Sequence, residues 1–206
     1  MKKRRNIFAV SVLLLVVLIG VSAQTRKFIT EQLFEVFHQD KILKLQVESV
    51  NDFSQIFLIE NGTKKQLTAG YQNHFKPFGV DDFAVWIEEN LDSGVQQVVL
   101  YQFSTNTSRV LQLNEVTINQ DPQVNHKGQS VWQGWSQGSW QIFWFDGQNT
   151  TQITQGDVAI SPRFKQNQIQ FLRKDAKNQW RIEQYSIWSK TTKVLEKGEN
   201  AKAHFE

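Results

Sequence analysis

Residues 141–154 read QIFWFDGQNTTQIT, and residues 55–68, which lie 86 positions earlier, read QIFLIENGTKKQLT. The two segments align without a gap, and Gln, Ile, Phe, a later Gln and the final Thr coincide. In the later segment apolar side chains fall on both faces of the expected strand, because Ile142 and Trp144 alternate with Phe143 and Phe145. Such a strand is either an aromatic ligand-binding surface or buried on both sides, and its recurrence favours burial in a repeated unit.

Two further features keep the same period. The segments YQFSTNTSRVL (101–111) and YSIWSKTTKVL (185–195) are 84 positions apart and share Tyr, Thr, Val and Leu. All three prolines precede a short apolar segment at one position of the period. Four units then follow at steps of 42, 44 and 40 residues, marked by Ile56, Val98, Ile142 and Ile182.

Each unit divides into short β-type segments separated by turn residues. In the second unit these segments are HFKPFGV, FAVWIEE, QQVVLYQF and SRVLQL. Segments of this length between polar turns indicate antiparallel sheet, and four strands in about 40 to 45 residues are typical of a propeller blade. The sequence therefore predicts an all-β fold, a β-propeller of four-stranded antiparallel blades.

The predicted propeller occupies residues 31–206, with blades at approximately 31–70, 71–116, 117–157 and 158–198. His204-Phe205 follows Arg163-Phe164 by 41 positions, so residues 201–206 are expected to form one extra terminal strand. Two architectures are open: a ring closed by four blades, in which this strand pairs with the first blade, and part of a larger propeller. A set of blades that does not close into a ring would leave an unpaired sheet edge.

These segments resemble the TolB-type β-propeller repeat of exported bacterial proteins. The resemblance covers about residues 31–206 and rests on QIFLI (55–59), QIFWF (141–145), QLT (66–68), QIT (152–154), and SPRF (161–164) before IQFL (169–172). It implies a propeller in a periplasmic or secreted protein. It implies no particular partner or site, because such repeats occur in translocation components, peptidase accessory domains and other exported proteins. The usual Pro-Asp-Gly turn is absent, since Pro162 is followed by Arg163.

The amino-terminal segment has the basic, apolar and small-residue order of a secretory signal. Four cations at residues 2–5 precede an apolar run that starts at Ile7, and Ser22-Ala23 ends it. Residues 7–23 would span about 25 Å as an apolar helix, so an uncleaved membrane anchor is the alternative to a cleaved signal at residues 1–23. Either way, the cations keep that end in the cytoplasm, which predicts an extracytoplasmic propeller, periplasmic, secreted or membrane-anchored.

Charge and cysteine content exclude several classes of partner and site. The net charge of +3 originates in residues 2–5, because residues 24–206 hold 19 Lys and Arg against 20 Asp and Glu. Nucleic-acid binding is therefore not expected. The chain has no cysteine, which excludes disulfides, thiolate metal sites and thiol nucleophiles.

One catalytic motif occurs, GWSQG at residues 134–138, which matches the nucleophile elbow of hydrolases. The elbow needs a strand-to-helix turn and a downstream acid and histidine, whereas this serine lies between two β-type segments and His204 is the one later histidine. A glycine-rich hairpin is the expected structure. The four histidines are far apart, and His74 is expected to be a solvated turn residue. We expect no catalytic residue, cofactor or metal.

The tryptophans separate into core and candidate contact residues. Five share repeat positions or match apolar strand positions and are expected in the core: Trp86, Trp132, Trp140, Trp144 and Trp180. Trp135 and Trp188 lie at or near turns and have no aromatic counterpart in the other units. An exposed turn tryptophan is typical of a contact with a protein or a sugar, so these two are the predicted ligand-binding residues.

The sequence thus predicts a non-enzymatic, exported β-propeller that acts as a protein-interaction or envelope scaffold through its blade-connecting loops. Its expected partner is a protein or a cell-envelope component, with membrane contact through residues 7–23 if these are retained. The alternative is a carbohydrate-binding module in which the turn tryptophans stack on sugars and Gln and Asn side chains bind hydroxyls. An enzyme is the third hypothesis, and no catalytic constellation supports it.

Overall fold

A computed structural model describes residues 43–111, 115–198 and 200–205. Within these ranges the chain forms fifteen β-strands and one short helix. The expected signal or anchor at residues 1–23, with its apolar helix, lies outside the described residues, as do the residues before Leu43 in the predicted first blade.

The strands form four antiparallel sheets, which we call blades 1 to 4 in chain order. Blade 1 has three described strands, β1 (Lys44–Val50), β2 (Phe53–Glu60) and β3 (Thr63–Gln66). Blade 2 comprises β4 (Asn73–Val80), β5 (Phe83–Glu89), β6 (Gln96–Gln102) and β7 (Thr107–Val110). Blade 3 comprises β8 (Asn119–Val124), β9 (Ser130–Ser136), β10 (Ser139–Phe145) and β11 (Thr150–Gln152). Blade 4 comprises β12 (Val158–Lys165), β13 (Gln168–Lys174), β14 (Trp180–Ser186) and β15 (Thr191–Lys197).

Each blade is a meander in which consecutive strands pair, and consecutive blades pack face to face. This arrangement is all-β and consistent with a four-bladed propeller. The residues that mark the repeat lie on the face of each blade that points toward the next one, which we call the forward face. Ile56 packs against blade 2, Val98 against blade 3, and Ile142 against blade 4. The period of the sequence is therefore the period of the interblade contacts.

Strand β10 shows that the two-sided apolar pattern is a packing pattern. Ile142 and Trp144 belong to the core cluster shared with blade 4, whereas Phe143 and Phe145 belong to the cluster shared with blade 2. The Phe143 ring stacks on Trp132, with ring centroids 5.9 Å apart. The prediction that this strand is buried on both sides is confirmed, because Ile142, Phe143, Trp144 and Phe145 are all buried.

The Gln and Thr residues that recur in both copies make the same hydrogen bonds in blades 1 and 3. The Thr154 hydroxyl donates to the Gln141 side-chain oxygen at 2.8 Å and accepts from the Ile142 backbone N–H at 2.8 Å. In blade 1, Thr68 makes the same two bonds with Gln55 and Ile56, at 2.8 and 2.9 Å. These polar side chains are buried, so the bonds replace water for a backbone group that would otherwise be unpaired.

The expected extra strand at residues 201–206 is wrong, because the chain forms helix α1 (Asn200–Phe205) there. Gly198 directly follows β15, and its φ of +111° is a backbone conformation that does not continue the strand. The tail contains Ala201, Lys202 and Ala203, which favour helix and lack the branched side chains that favour strands. In a helix, Ala201 and Phe205 fall on one face, and both are buried. Burial of this face on blade 4 decides the conformation.

Helix α1 covers the forward face of blade 4. In blades 1 to 3, the forward face packs against the next blade instead. Ala201 and Phe205 pack with Ile182 and Leu172 in one cluster. Ile182 is the fourth marker of the repeat, and its neighbours come from a helix instead of a sheet. Within the described residues, blade 4 is thus the one blade whose forward face is covered by a helix.

Candidate binding surfaces

A cavity of about 450 Å³ lies between the first strands of blades 2, 3 and 4. Its walls include three dipeptides at one repeat position: Lys76-Pro77, Asp121-Pro122 and Ser161-Pro162. The Lys76 ammonium donates to the Asp121 carboxylate at 2.8 Å, which links blades 2 and 3 across the cavity wall. We call this cavity the central pocket.

The three dipeptides are β-bulges. The pairing register shifts between Phe75 and Phe78, between Gln120 and Gln123, and between Ile160 and Arg163. The residue before each proline has a positive φ, +51° at Lys76, +50° at Asp121 and +54° at Ser161. A non-glycine residue adopts this conformation at a cost of about 1–2 kcal/mol, and proline disfavours a helical conformation before it. The in-register prolines therefore mark bulges that bend the inner strands.

Trp135 is near the end of β9, and its side chain is 41% exposed. It stands opposite Trp140 in the β9–β10 pair, and the two rings meet edge to face with centroids 5.5 Å apart. The Trp135 backbone N–H donates to the carbonyl oxygen of Ile118 at 2.9 Å. The indole is exposed yet supported from one side, which is how a preformed contact residue is built.

Other exposed apolar side chains lie at the same end of the propeller. In a meander, the turn between second and third strands and the link to the next blade fall at one end, which we call the linker end. Tyr71 and Ile118 are on links, and Leu91 is on the second-to-third-strand turn of blade 2. The Tyr71 ring packs edge to face on Phe53 at 5.6 Å. The linker end thus carries exposed apolar residues from three successive blades.

Trp188 lies in the turn between β14 and β15, which places it at the opposite end of the propeller. Its side chain is 65% exposed. The two tryptophans predicted as contact residues are therefore on different surfaces, and one ligand face does not contain both. Trp135 contacts the exposed Ile118 through its backbone at the linker end, whereas in the turn of Trp188 the other apolar residue, Ile187, packs on the core and Ser189 and Lys190 are polar.

Three members of the linker-end surface were missed by sequence reasoning. Tyr71, Leu91 and Ile118 are single apolar residues in polar segments, and they do not recur at the repeat period. Isolated exposed apolar residues are common on protein surfaces, so none is informative alone. The available signal was topological, because links and second-to-third-strand turns of a meander share one end.

His74 corrects another expectation, since it is buried on β4 and is not a solvated turn residue. Its Nε2 atom lies 3.1 Å from the Glu88 carboxylate, and its Nδ1 atom lies 3.4 Å from the carbonyl oxygen of Ser54 in blade 1. The side chain is thus part of the contact between blades 1 and 2. The sequence places His74 beside a turn, but the packing of blade 1 against blade 2 buries it.

The serine of GWSQG lies on a hairpin, as the sequence predicts. Ser136 ends β9, Gln137 and Gly138 form the turn, and the Ser136 hydroxyl lies 3.5 Å from the Gln152 side-chain oxygen. In residues 43–111, 115–198 and 200–205, no three His, Asp or Glu side chains are arranged to hold a metal ion. No helix within the same ranges is long and apolar enough to cross a membrane.

The strand order, the bulged inner strands and the face-to-face sheets define the class of protein as a β-propeller. No protein-family model and no curated protein sequence matches the chain. Among solved structures, the chain is similar to TolB from Acinetobacter baumannii, with a TM-score of 0.56 and 15% sequence identity over 74% of this chain. It is similar to a putative TolB from Agrobacterium tumefaciens, with a TM-score of 0.56 and 15% identity over 75% of this chain.

A third similar structure comes from a study of two prolyl endopeptidases, with a TM-score of 0.55 and 9% identity over 76% of this chain. The chain spans 40% and 61% of the length of the two TolB structures and 26% of the endopeptidase. At these identities the comparisons show a TolB-like propeller fold. They do not carry activity or partners to this chain.

Proposed function

We propose that this protein is a non-enzymatic β-propeller scaffold that binds a protein partner at its linker end, outside the cytoplasm. The observation that carries the proposal is the exposed Trp135 side chain, held edge to face on Trp140. Tryptophan and tyrosine dominate the energetics of protein interfaces because they bury a large area with few rotatable bonds. A side chain that is already positioned loses little conformational entropy on binding.

Tyr71, Leu91 and Ile118 extend this surface over neighbouring blades. A standard protein interface buries about 800 Å² on each partner, which requires contacts from several loops rather than from one hairpin. The linker end supplies such loops because each blade contributes a turn and a link there. The location outside the cytoplasm rests on the basic and apolar order of residues 2–23 and is supported by the resemblance to exported TolB-type proteins.

The carbohydrate-binding alternative has less support. Its two proposed stacking residues, Trp135 and Trp188, lie at opposite ends of the propeller and do not form one platform. Trp135 is bonded through its backbone to Ile118, an exposed apolar residue, whereas sugar sites combine a stacking ring with polar groups that bind hydroxyls.

A retention experiment with cell-envelope extract tests the proposal. The wild-type protein, Trp135→Ala and Trp188→Ala are immobilised, with Leu195→Ala as a matched control because Leu195 is exposed on the outer strand β15. We expect a defined protein to be retained by all variants except Trp135→Ala. Retention that survives Trp135→Ala and is lost in Trp188→Ala would contradict the proposal. Binding of a glycan array that depends on Trp135 would favour the carbohydrate alternative.

A further inference from the structure

A second cavity, of about 310 Å³, lies between blades 2 and 3 at the end opposite to the linker end. We call it the rim pocket. We propose that the rim pocket binds a small organic carboxylate whose negative charge is attached to a flat, apolar body. This site is separate from the proposed docking surface and does not depend on it.

Two cations line the rim pocket, and none of its lining residues is acidic. Arg109 comes from β7 of blade 2, and Lys127 comes from the turn between β8 and β9 of blade 3. Blade packing thus brings together two positive charges that are 18 positions apart in the sequence. Convergent charges of one sign in a concave site favour a ligand of opposite sign.

In the part of the chain that the structure describes, the Arg109 guanidinium is held by an aromatic ring and a backbone carbonyl rather than by a carboxylate. It lies over the Phe145 ring, with the guanidinium carbon 4.8 Å from the ring centroid, and its Nη2 atom donates to the Gln148 carbonyl oxygen at 2.9 Å. A guanidinium has five N–H donors, and within the described residues Gln148 is its one hydrogen-bond acceptor. The remaining donors and the planar shape suit a carboxylate.

Lys127 also contacts a neutral group, because its ammonium lies 3.4 Å from the Asn167 side-chain oxygen. Some other cations in the described residues pair with carboxylates, whereas Arg163 in the central pocket contacts the carbonyl oxygen and ring of Phe205. Lys76 pairs with Asp121 at 2.8 Å, and Arg181 pairs with Glu183 at 2.5 Å. Within the described residues, neither Arg109 nor Lys127 pairs with a carboxylate, which leaves both charges available to an anionic ligand.

Two carboxylates in turns at this end of blades 2 and 3 accept hydrogen bonds from turn donors. Asp82 accepts from the side chain of Gln102 at 2.8 Å and from Ser104. Asp146 accepts from the backbone N–H groups of Gln148 and Asn149 at 2.8 Å each. Because these two charges offset part of the local positive potential and the cations are exposed, we expect a monoanion to bind with millimolar affinity.

Aromatic side chains determine the shape of the ligand. Phe83 forms an apolar wall of the pocket, Phe145 lies buried beneath the Arg109 guanidinium, and a Cβ atom on Gly128 would lie 2.8 Å from the Phe83 ring. Glycine at this position therefore lets the turn approach the ring closely. A flat apolar group beside the Phe83 ring, with its carboxylate at Arg109, satisfies both features of the site.

Titration of the ¹⁵N-labelled protein with benzoate tests the proposal, with benzyl alcohol as the uncharged analogue. The backbone amides of Gly128 and Gly147 line the pocket and report binding directly. We expect their signals to shift and saturate at millimolar benzoate, and to shift at least about tenfold less at the same concentration of benzyl alcohol, given the strength of charge-assisted hydrogen bonds.

Variants separate specific binding from general attraction. Arg109→Gln is expected to weaken benzoate binding by about tenfold or more, and Lys127→Gln by a smaller factor. Lys193→Gln removes another exposed charge, on β15, and should leave the affinity unchanged. The exposed positions of Arg109 and Lys127 keep both variants folded, which the dispersion of the spectrum checks. Absence of saturable shifts at Gly128 and Gly147, or equal affinity in the Arg109→Gln variant, would overturn the proposal.

Discussion

The guanidinium of Arg163 lies over the ring of Phe205, 3.7 Å from its centroid, and donates a hydrogen bond of 2.6 Å to the Phe205 carbonyl oxygen. Arg163 is on the inner strand β12, and Phe205 is on helix α1. Both residues line the central pocket. The contact therefore fixes the helix on blade 4 and makes helix α1 part of the pocket wall.

We expect Phe205→Ala to destabilise the protein by about 2–3 kcal/mol, because the ring is buried against Leu172 and Ile182. A six-residue helix has little stability of its own, so α1 should detach from blade 4. Denaturant unfolding measures the loss. His204→Ala is the matched control, since His204 is the exposed neighbour and makes one surface contact, 2.7 Å from its Nδ1 atom to the Glu196 carboxylate; it should change stability by less than about 1 kcal/mol. Equal effects of the two variants would show that α1 does not cover blade 4 in solution.

Thr154→Val should cost about 1–3 kcal/mol, although it changes one hydroxyl into a methyl group. The hydroxyl satisfies the Ile142 backbone N–H and the Gln141 side chain, and its loss leaves a buried donor unpaired. Thr68→Val should have a similar effect, because Thr68 makes the same bonds in blade 1. Thr151→Val, at an exposed position of β11, is the control and should be nearly neutral. A neutral Thr154→Val variant would refute the structural role of the motif.

The sequence repeat predicted the interblade packing because the same positions meet in each interface. Ile142 and Phe143 could be assigned to opposite faces of one strand from alternation alone. The tail could not be assigned in this way, since the similarity of His204-Phe205 to an inner strand covered two residues. Helical propensity and the open forward face of blade 4 outweighed so short a match.

The candidate site was predicted in part. Trp135 was identified because it broke the repeat at a turn, but its support by Trp140 depends on strand pairing. The rim pocket was not predicted, because Arg109 and Lys127 belong to different blades and meet through packing. Pairs of exposed cations carry no sequence pattern that separates a pocket from a solvated surface.

Gly128→Ala should destabilise the protein more than Gly138→Ala. Both glycines have positive φ, +72° and +80°, so an alanine costs about 1 kcal/mol of backbone strain at either position. At Gly128 the added Cβ would also lie 2.8 Å from the Phe83 ring, whereas at Gly138 it would contact nothing within 4 Å. We expect about 1–3 kcal/mol more destabilisation at Gly128 from overpacking, measured by thermal or denaturant unfolding. Equal losses at the two positions would contradict the close approach of this turn to Phe83.

Acid should weaken the protein through its turn carboxylates. The backbone N–H of Asn149, then that of Gln148, and a smaller contribution from Lys190 hold the pKa of Asp146 below its ordinary value of 3.8. A folded-state pKa below the unfolded one means that the carboxylate contributes stability above about pH 4, which is lost as the pH falls through the folded-state pKa.

Asp146→Asn keeps an oxygen acceptor for the turn but removes its titration. The decline in the free energy of unfolding between about pH 5 and pH 2 should therefore be shallower in this variant than in the wild type. Denaturant midpoints across this range measure the difference, and NMR titration of the Asp146 carboxyl gives its pKa directly. Identical pH profiles for the two proteins would contradict the assignment of this carboxylate.

The central claim is that the linker end carries a protein-docking surface, and site-specific photo-crosslinking in intact cells tests it most directly. A photoreactive phenylalanine analogue is placed at position 135 in one variant and at position 188 in another, at opposite ends of the propeller. Expression and folding of the two variants are compared before irradiation. A discrete protein adduct from position 135, absent from position 188, is the predicted result. An adduct from position 188 alone, or no protein adduct from position 135 in folded protein, would contradict the claim.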